Sequence, residues 1–220
     1  MPFDTLLLLE DPPPRAAPIQ MAIDQILLAR ATQPILRIYT WASPCVTMGY
    51  FESWQATQVS FPRLEITRRW TGGGSVAHVD DWPYSLIVPH SHPFARTRPA
   101  ESYRQIHAKL ARILSRKSHE IELASSSEPK RSSACFENPV QYDILMCGEK
   151  VAGAGQRRSN AGLLHQGSLQ LPALLHPDGA TFAAAIAAHF ECISLPREIL
   201  QEAELLANER YANPAWIRAR

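Results

Sequence analysis

Apolar residues first recur at helical spacing at Ile19, Ala22, Ile23, Ile26 and Leu27, and Pro18 suits the first turn of that helix. Strand-like alternation follows. Leu36 and Ile38 alternate with Arg37 and Tyr39, Val46, Met48 and Tyr50 alternate after the Ser43-Pro44 break, and Leu64 and Ile66 alternate with Glu65 and Thr67. Tyr84 to Val88 reads as a further strand. A second helix carries Tyr103, Ile106, Leu110, Ile113 and Leu114 on one face, with Arg104, Lys109, Arg112, Arg116 and Lys117 on its other sides. Val140, Tyr142, Ile144 and Met146 alternate as a strand, and Cys147-Gly148-Glu149 turns it back into Lys150-Val151-Ala152 as a hairpin. Leu169 and Leu171 end another strand, and helices over about 178–192 and 196–207 close the pattern. Strands and helices mixed without strict βαβ alternation predict an α+β fold, with helices packed on a largely antiparallel sheet. No linker divides residues 1–220, so a single domain is expected.

Composition narrows the class. At 220 residues, 45% hydrophobic and 20% charged, the chain is an ordinary globule rather than a disordered segment. A net charge of +1 argues against a duplex-binding protein. No apolar run approaches the ~20 residues that span a membrane. The run Leu6 to Leu9 lacks a basic leader and is followed by Glu10 and Asp11, so it does not read as a signal peptide. Four cysteines without a CxxC pair fit free thiols in the cytoplasm. Pro12-Pro13-Pro14 reads as punctuation ahead of the first helix.

Three stretches carry candidate chemistry. The first is Arg68-Arg69-Trp70-Thr71-Gly72-Gly73-Gly74-Ser75-Val76-Ala77-His78. A lone glycine triplet is most often a tight hairpin. Beside two arginines and a histidine, its N–H groups can instead form an anion-binding nest. On an alternating strand Arg68 and Arg69 point to opposite faces, so one can face a site while the other faces solvent. The second is Gly148 to Arg158, where Lys150 precedes a wall of glycine and alanine that a carboxylate or acyl carbonyl could approach. The bland alternative is a surface hairpin lysine; on the functional reading Lys150→Ala should abolish activity while leaving the fold intact. Leu164-His165-Gln166-Gly167-Ser168 follows, with His165 and Gly167 sharing a face with Leu169. The third is the loop Ser133-Ala134-Cys135-Phe136. A free cysteine is usually a small core residue. Near Lys150 and several arginines, Cys135 could have a depressed pKa and act as a nucleophile. His90 and His92 alternate without an evident third ligand, so no metal site is expected.

Together these stretches resemble the lipoate-protein ligase and octanoyltransferase family, which shares its fold with the catalytic domain of biotin-protein ligase. The resemblance runs from Met21-Ala22-Ile23-Asp24 through Gly167-Ser168. It rests on Arg68-Arg69-x-Thr-Gly-Gly-Gly-x-Val-x-His78, on Gly148-x-Lys150-Val-Ala-Gly153, and on His165-x-Gly167-Ser168. It implies that Arg69, Gly72, Gly73, Gly74, His78, Gly153 and His165 line an acyl and adenylate pocket. It also implies that Lys150 contacts the acyl carbonyl or carboxylate, and that Cys135 is the acyl-accepting thiol of the cysteine-loop octanoyltransferases. Asp80-Asp81-Trp82-Pro83 stands where the family has a small, glycine-containing turn, which alters the mouth of the pocket. The segment after Leu171 reads as two helices rather than the accessory domain of typical ligases.

Three readings follow. In the first, Cys135 takes an octanoyl or lipoyl group from a carrier-protein thioester and passes it to a lysine of a lipoyl domain, with no cofactor. In the second, the chain is an ATP- and magnesium-dependent lipoate-protein ligase in which Cys135 is incidental. In the third, it is a non-catalytic acyl-binding protein. The cysteine and the short C-terminal segment favour the first over the second, and the retained Arg69, Lys150 and glycines argue against the third. Expected partners are an acylated carrier protein and a small acidic lipoyl domain, with no nucleic acid and no membrane.

Overall fold

Leu6, Leu8 and Leu9 are all buried, because the strand that holds them has neighbours on both edges and packing on both faces. This strand, β1 (Phe3–Arg15), belongs to a computed structural model that describes residues 1–116, 120–127, 136 and 138–219. Four consecutive leucines lack the alternation that marks a half-buried strand, so the linear pattern did not reveal it. Pro12-Pro13-Pro14 lies inside β1, not ahead of the helix, at a register shift between Asp11 and Arg15.

Helix α1 (Ala17–Arg30) follows, with proline in its first turn, and leads to β2 (Ile35–Trp41). Then come β3 (Cys45–Met48), the short helix α2 (Trp54–Ser60), β4 (Glu65–Arg68), β5 (Val76–His78) and β6 (Trp82–Pro89). Helix α3 (Pro99–Leu114) precedes β7 (Ile121–Leu123), β8 (Ile144–Met146), β9 (Glu149–Ser159) and β10 (Gly162–Leu169). The chain continues through α4 (Gly179–Ile186), β11 (Ala187–Ile193), α5 (Arg197–Leu206) and α6 (Pro214–Ile217).

Eight strands form one mixed sheet in the order β11-β1-β2-β6-β10-β9-β8-β7, with β1 parallel to both its neighbours and every other pairing antiparallel. One face buries Phe3, Leu36, Leu86 and Val88 against α3 and α4, and the other buries Leu9, Ile35, Ile87 and Leu164 against α1 and α5. A second sheet, β4-β3-β5, is smaller. This is the expected α+β fold.

Two expected elements differ. The alanine-rich stretch from 178 extends as helix only to Ile186, and Ala187–Ile193 is strand β11. Helix propensity loses there to pairing with β1, whose backbone from Phe3 to Leu9 would otherwise lack partners on that edge. Residues 140–143 are a turn, not the start of a strand. Asp143 N–H donates to the Val140 carbonyl and its carboxylate accepts the Val140 N–H, while Tyr142 takes a positive φ of 72°. The expected hairpin is present: Cys147 and Gly148, at φ 54° and 79°, form its two-residue turn.

Candidate active site

The two sheets meet at the glycine segment. Strand β8 reaches only Ile144, opposite Ala152, so the next stretch of the β9 edge must find partners elsewhere. The Tyr103 hydroxyl accepts the Ala154 N–H at 2.9 Å, and the Gln156 carbonyl accepts the Gly72 N–H at 3.4 Å. The approach is close: a Cβ on Gly155 would stand 2.4 Å from the Gly72 oxygen.

Arg69 shapes this segment from within. It is buried, and its guanidinium donates to the carbonyls of Thr47 (2.8 Å), Gly72 (2.8 Å) and Gly74 (2.7 Å) and to the Thr71 hydroxyl (3.1 Å). Thr71 in turn donates to Gln166, which donates to the buried Asp24 of α1 at 2.7 Å. Asp24 also pairs with the fully buried Arg37 at 2.8 Å. Arg68 does not face solvent as the alternation suggested. It is buried and donates to the carbonyls of Gly49, Tyr50, Glu52, Trp216 and Ile217, which fastens α6 to β4.

Between the sheets lies a narrow cleft with a free interior of about 30 Å³. Met21, Tyr39, Trp41, Val76 and Phe136 give it apolar walls, and Thr47, Arg69, His78, Gln166 and Ser168 supply polar groups. Apolar walls with a few convergent polar atoms are the general character of small-molecule sites. His78 is held at both nitrogens. Nδ1 lies 2.7 Å from Asp81 Oδ2 and Nε2 lies 2.8 Å from Thr47 Oγ1, while Ser168 donates to the same Asp81 oxygen at 2.6 Å.

Lys150 is not a surface lysine. Its side chain is 1% exposed, and Nζ lies 2.7 Å from Asp143 Oδ2, itself fully buried. Nζ also stands 5.2 Å from the centre of the Phe136 ring. A Cβ on Gly153 would come within 2.7 Å of Lys150 Cε and 2.9 Å of Nζ, so glycine at 153 makes room for the ammonium.

Of the residues singled out in the sequence, Arg69, His78 and Gly153 line the cleft. Lys150 lies directly behind Gly153 and Phe136, and Gly72 to Gly74 are gathered by Arg69 beside it. His165 does not line the cleft. It is buried among Tyr84, Tyr103 and His107, with ring nitrogens 3.2 Å from the Tyr84 hydroxyl and 3.0 Å from Gln156. Burial, then the nearby His107 and Arg158, hold its pKa well below the ordinary value. Cys135 lies outside the described residues. The linear reading missed Asp81, Thr47, Gln166, Asp143 and Tyr103. The signal available was polar character on strands buried at every position, as in β3 and β10. No cluster among the described residues could hold a metal ion, and no described helix is long and apolar enough to cross a membrane.

The octanoyltransferase LipM of Carboxydothermus hydrogenoformans is 36% identical over 159 residues, which cover 68% of this chain and 59% of that protein. The octanoyltransferase LipM of Staphylococcus aureus is 32% identical over 165 residues, covering 68% of this chain and 60% of the relative. The chain thus spans about three fifths of the length of the curated relatives it matches. Its fold matches that of a lipoate-protein ligase A solved with bound ATP, at a TM-score of 0.73, 18% identity and 98% coverage of both chains. It also matches a bi-partite lipoate protein ligase from Thermoplasma acidophilum, at a TM-score of 0.64, 18% identity, and 100% and 98% coverage. Residues 16–191 match the family model of the lipoyl protein ligase A/B catalytic domain, and the chain belongs to that family.

Proposed function

We propose that this protein transfers an octanoyl or lipoyl group from a carrier-protein thioester to the ε-amine of a lysine on a lipoyl domain, through a thioester on Cys135. One observation carries the reading: Phe136, the chain neighbour of Cys135, lines the same cleft as Gly153, against which the Lys150 ammonium rests. The relatives named octanoyltransferase support the same chemistry.

The Cys135 thiolate attacks the thioester carbonyl, and the carrier thiolate leaves as the C–S bond breaks. The Lys150 ammonium stabilises the oxyanion that develops between these two events. The neutral amine of the acceptor lysine then attacks the acyl-cysteine. An amide forms, the Cys135 thiolate leaves, and the amine's proton passes to solvent. The Gly72 N–H is committed to the Gln156 carbonyl and does not serve the oxyanion. The first half-reaction exchanges one thioester for another and the second runs downhill from thioester to amide, so the reading needs neither ATP nor magnesium. The partners are an acylated carrier protein and a lipoyl domain, met in the cytoplasm.

A second reading, ATP-dependent ligation, draws on Arg69, His78 and the glycine segment, which the family resemblance assigns to an acyl-adenylate pocket. One assay separates the two: octanoyl-carrier protein and a lipoyl domain are mixed with the protein in the absence of ATP. Amide formation, lost in Cys135→Ser, is the expected result. Amide formation only from free acid with ATP, at full rate in Cys135→Ser, would establish the ligase instead.

A further inference from the structure

We infer that Asp143 is a positioning residue for acyl transfer, holding the Lys150 ammonium at the wall of the cleft. The inference rests on the transferase reading above. The carboxylate is fully buried and serves three donors. Lys150 Nζ and the Val140 N–H each approach Oδ2 at 2.7 Å, and the Tyr103 hydroxyl donates to Oδ1. Tyr103 accepts the Ala154 N–H with its own oxygen, and Ala154 lines the cleft beside Gly153. One carboxylate therefore joins helix α3, strand β9 and the turn at 140–143.

A merely structural role would not need this arrangement. A lysine at the start of a hairpin strand has a flexible four-carbon stem and a strongly hydrated head, and water is its default partner. Burying an ion pair offers little net stability over an apolar pair of the same volume. Here the side chain instead folds back over a position kept free of any Cβ, with its charge against Gly153 and Phe136. Asp143 selects that conformation, and its bond to Val140 ties the ammonium to the segment that follows Phe136. Asp143 transfers no proton and forms no bond to substrate. It acts through Lys150.

The test compares wild-type protein with Asp143→Asn, which keeps shape and removes charge, in octanoyl transfer and in side-chain NMR of ¹⁵N-lysine-labelled protein. The expected result is a fall in kcat of about a hundredfold, a KM for the octanoyl-carrier protein within about twofold, and loss of an exchange-protected Lys150 ammonium signal present in the wild type. An unchanged kcat or a retained protected signal overturns the inference. Should Asp143→Asn fail to fold, Tyr103→Phe carries the test, because it removes one donor and keeps both charges. A lower kcat at unchanged KM supports the inference there, and an unchanged kcat overturns it. A wild-type protein that transfers no octanoyl group would defeat the transferase reading instead.

Discussion

Lys150 Nζ lies 2.7 Å from Asp143 Oδ2, with side chains 1% and 0% exposed. Removing one partner of such a pair leaves a bare charge in the interior, which costs about 3–5 kcal/mol. Lys150→Ala should therefore lower stability by that order, contrary to the expectation for a hairpin surface lysine. The double variant Lys150→Met, Asp143→Leu should recover most of the loss, since apolar replacement of both partners is close to neutral. Urea unfolding of the three proteins measures this, and a Lys150→Ala curve that overlays the wild type would contradict it.

Gly153→Ala separates position from stability. Its Cβ would meet the end of a flexible side chain at 2.7 Å, so Lys150 must move while the backbone stays. Because the displaced ammonium strains its bond to Asp143, stability should fall by about 1–3 kcal/mol, while octanoyl transfer should fall at least about tenfold. A variant of full activity would show that the ammonium need not lie where Gly153 admits it.

Two buried histidines set an acid limit. Burial lowers the His107 pKa from 6.5 to about 4, against weaker raising effects of Asp143 and of the bond to the Tyr142 carbonyl. His165 shifts in the same direction, also mainly through burial. Between these values the unfolded chain takes up a proton that the folded chain refuses. Stability is thus full above pH 6.5, falls as pH drops toward 4, and loses nothing further from His107 below that. The His107 share of the loss is on the order of 3 kcal/mol. Denaturant unfolding at several pH values across this window should show the slope, and a flat profile would refute it.

Thiol reactivity should rank the cysteines. Burial, with the nearby Asp81 and Glu65, pushes Cys45 up to about 12, so it should resist iodoacetamide in the folded protein. Cys147 is exposed, but it donates to Glu120 at 2.6 Å, and that bond raises its pKa. Cys135, under the transferase reading, should react first, because an accessible thiolate near positive charge is the reactive form. Peptide mapping after brief alkylation gives the order. Cys45 or Cys147 labelled ahead of Cys135 would contradict it.

Much of this was legible in the chain, and the failures have definite causes. Helix α1, strands β2, β3 and β6, and the hairpin turn at Cys147-Gly148 follow from local periodicity and turn chemistry. β1 was hidden because burial on both faces removes alternation, and β11 because an alanine-rich sequence reads as helix until a neighbouring edge claims it. In the cleft, Arg69, His78 and Gly153 announced themselves through the glycine-rich motifs. Asp81 read only as a departure at the mouth, yet it orients His78. Asp143 sat in what read as an alternating strand, and its bond to Lys150 exists only because 140–143 turn instead. Pairings that depend on a turn or on a distant helix, such as Tyr103 with Ala154, leave no periodic trace.

Intact mass spectrometry detects a covalent acyl-enzyme on Cys135. Purified protein is mixed with octanoyl-carrier protein, without ATP and without acceptor, and its mass is recorded. The expected result is the gain of one octanoyl group, mapped to Cys135, released by hydroxylamine and absent in Cys135→Ser. An unmodified wild-type mass under these conditions, with transfer to a lipoyl domain proceeding only when ATP is supplied, would contradict it.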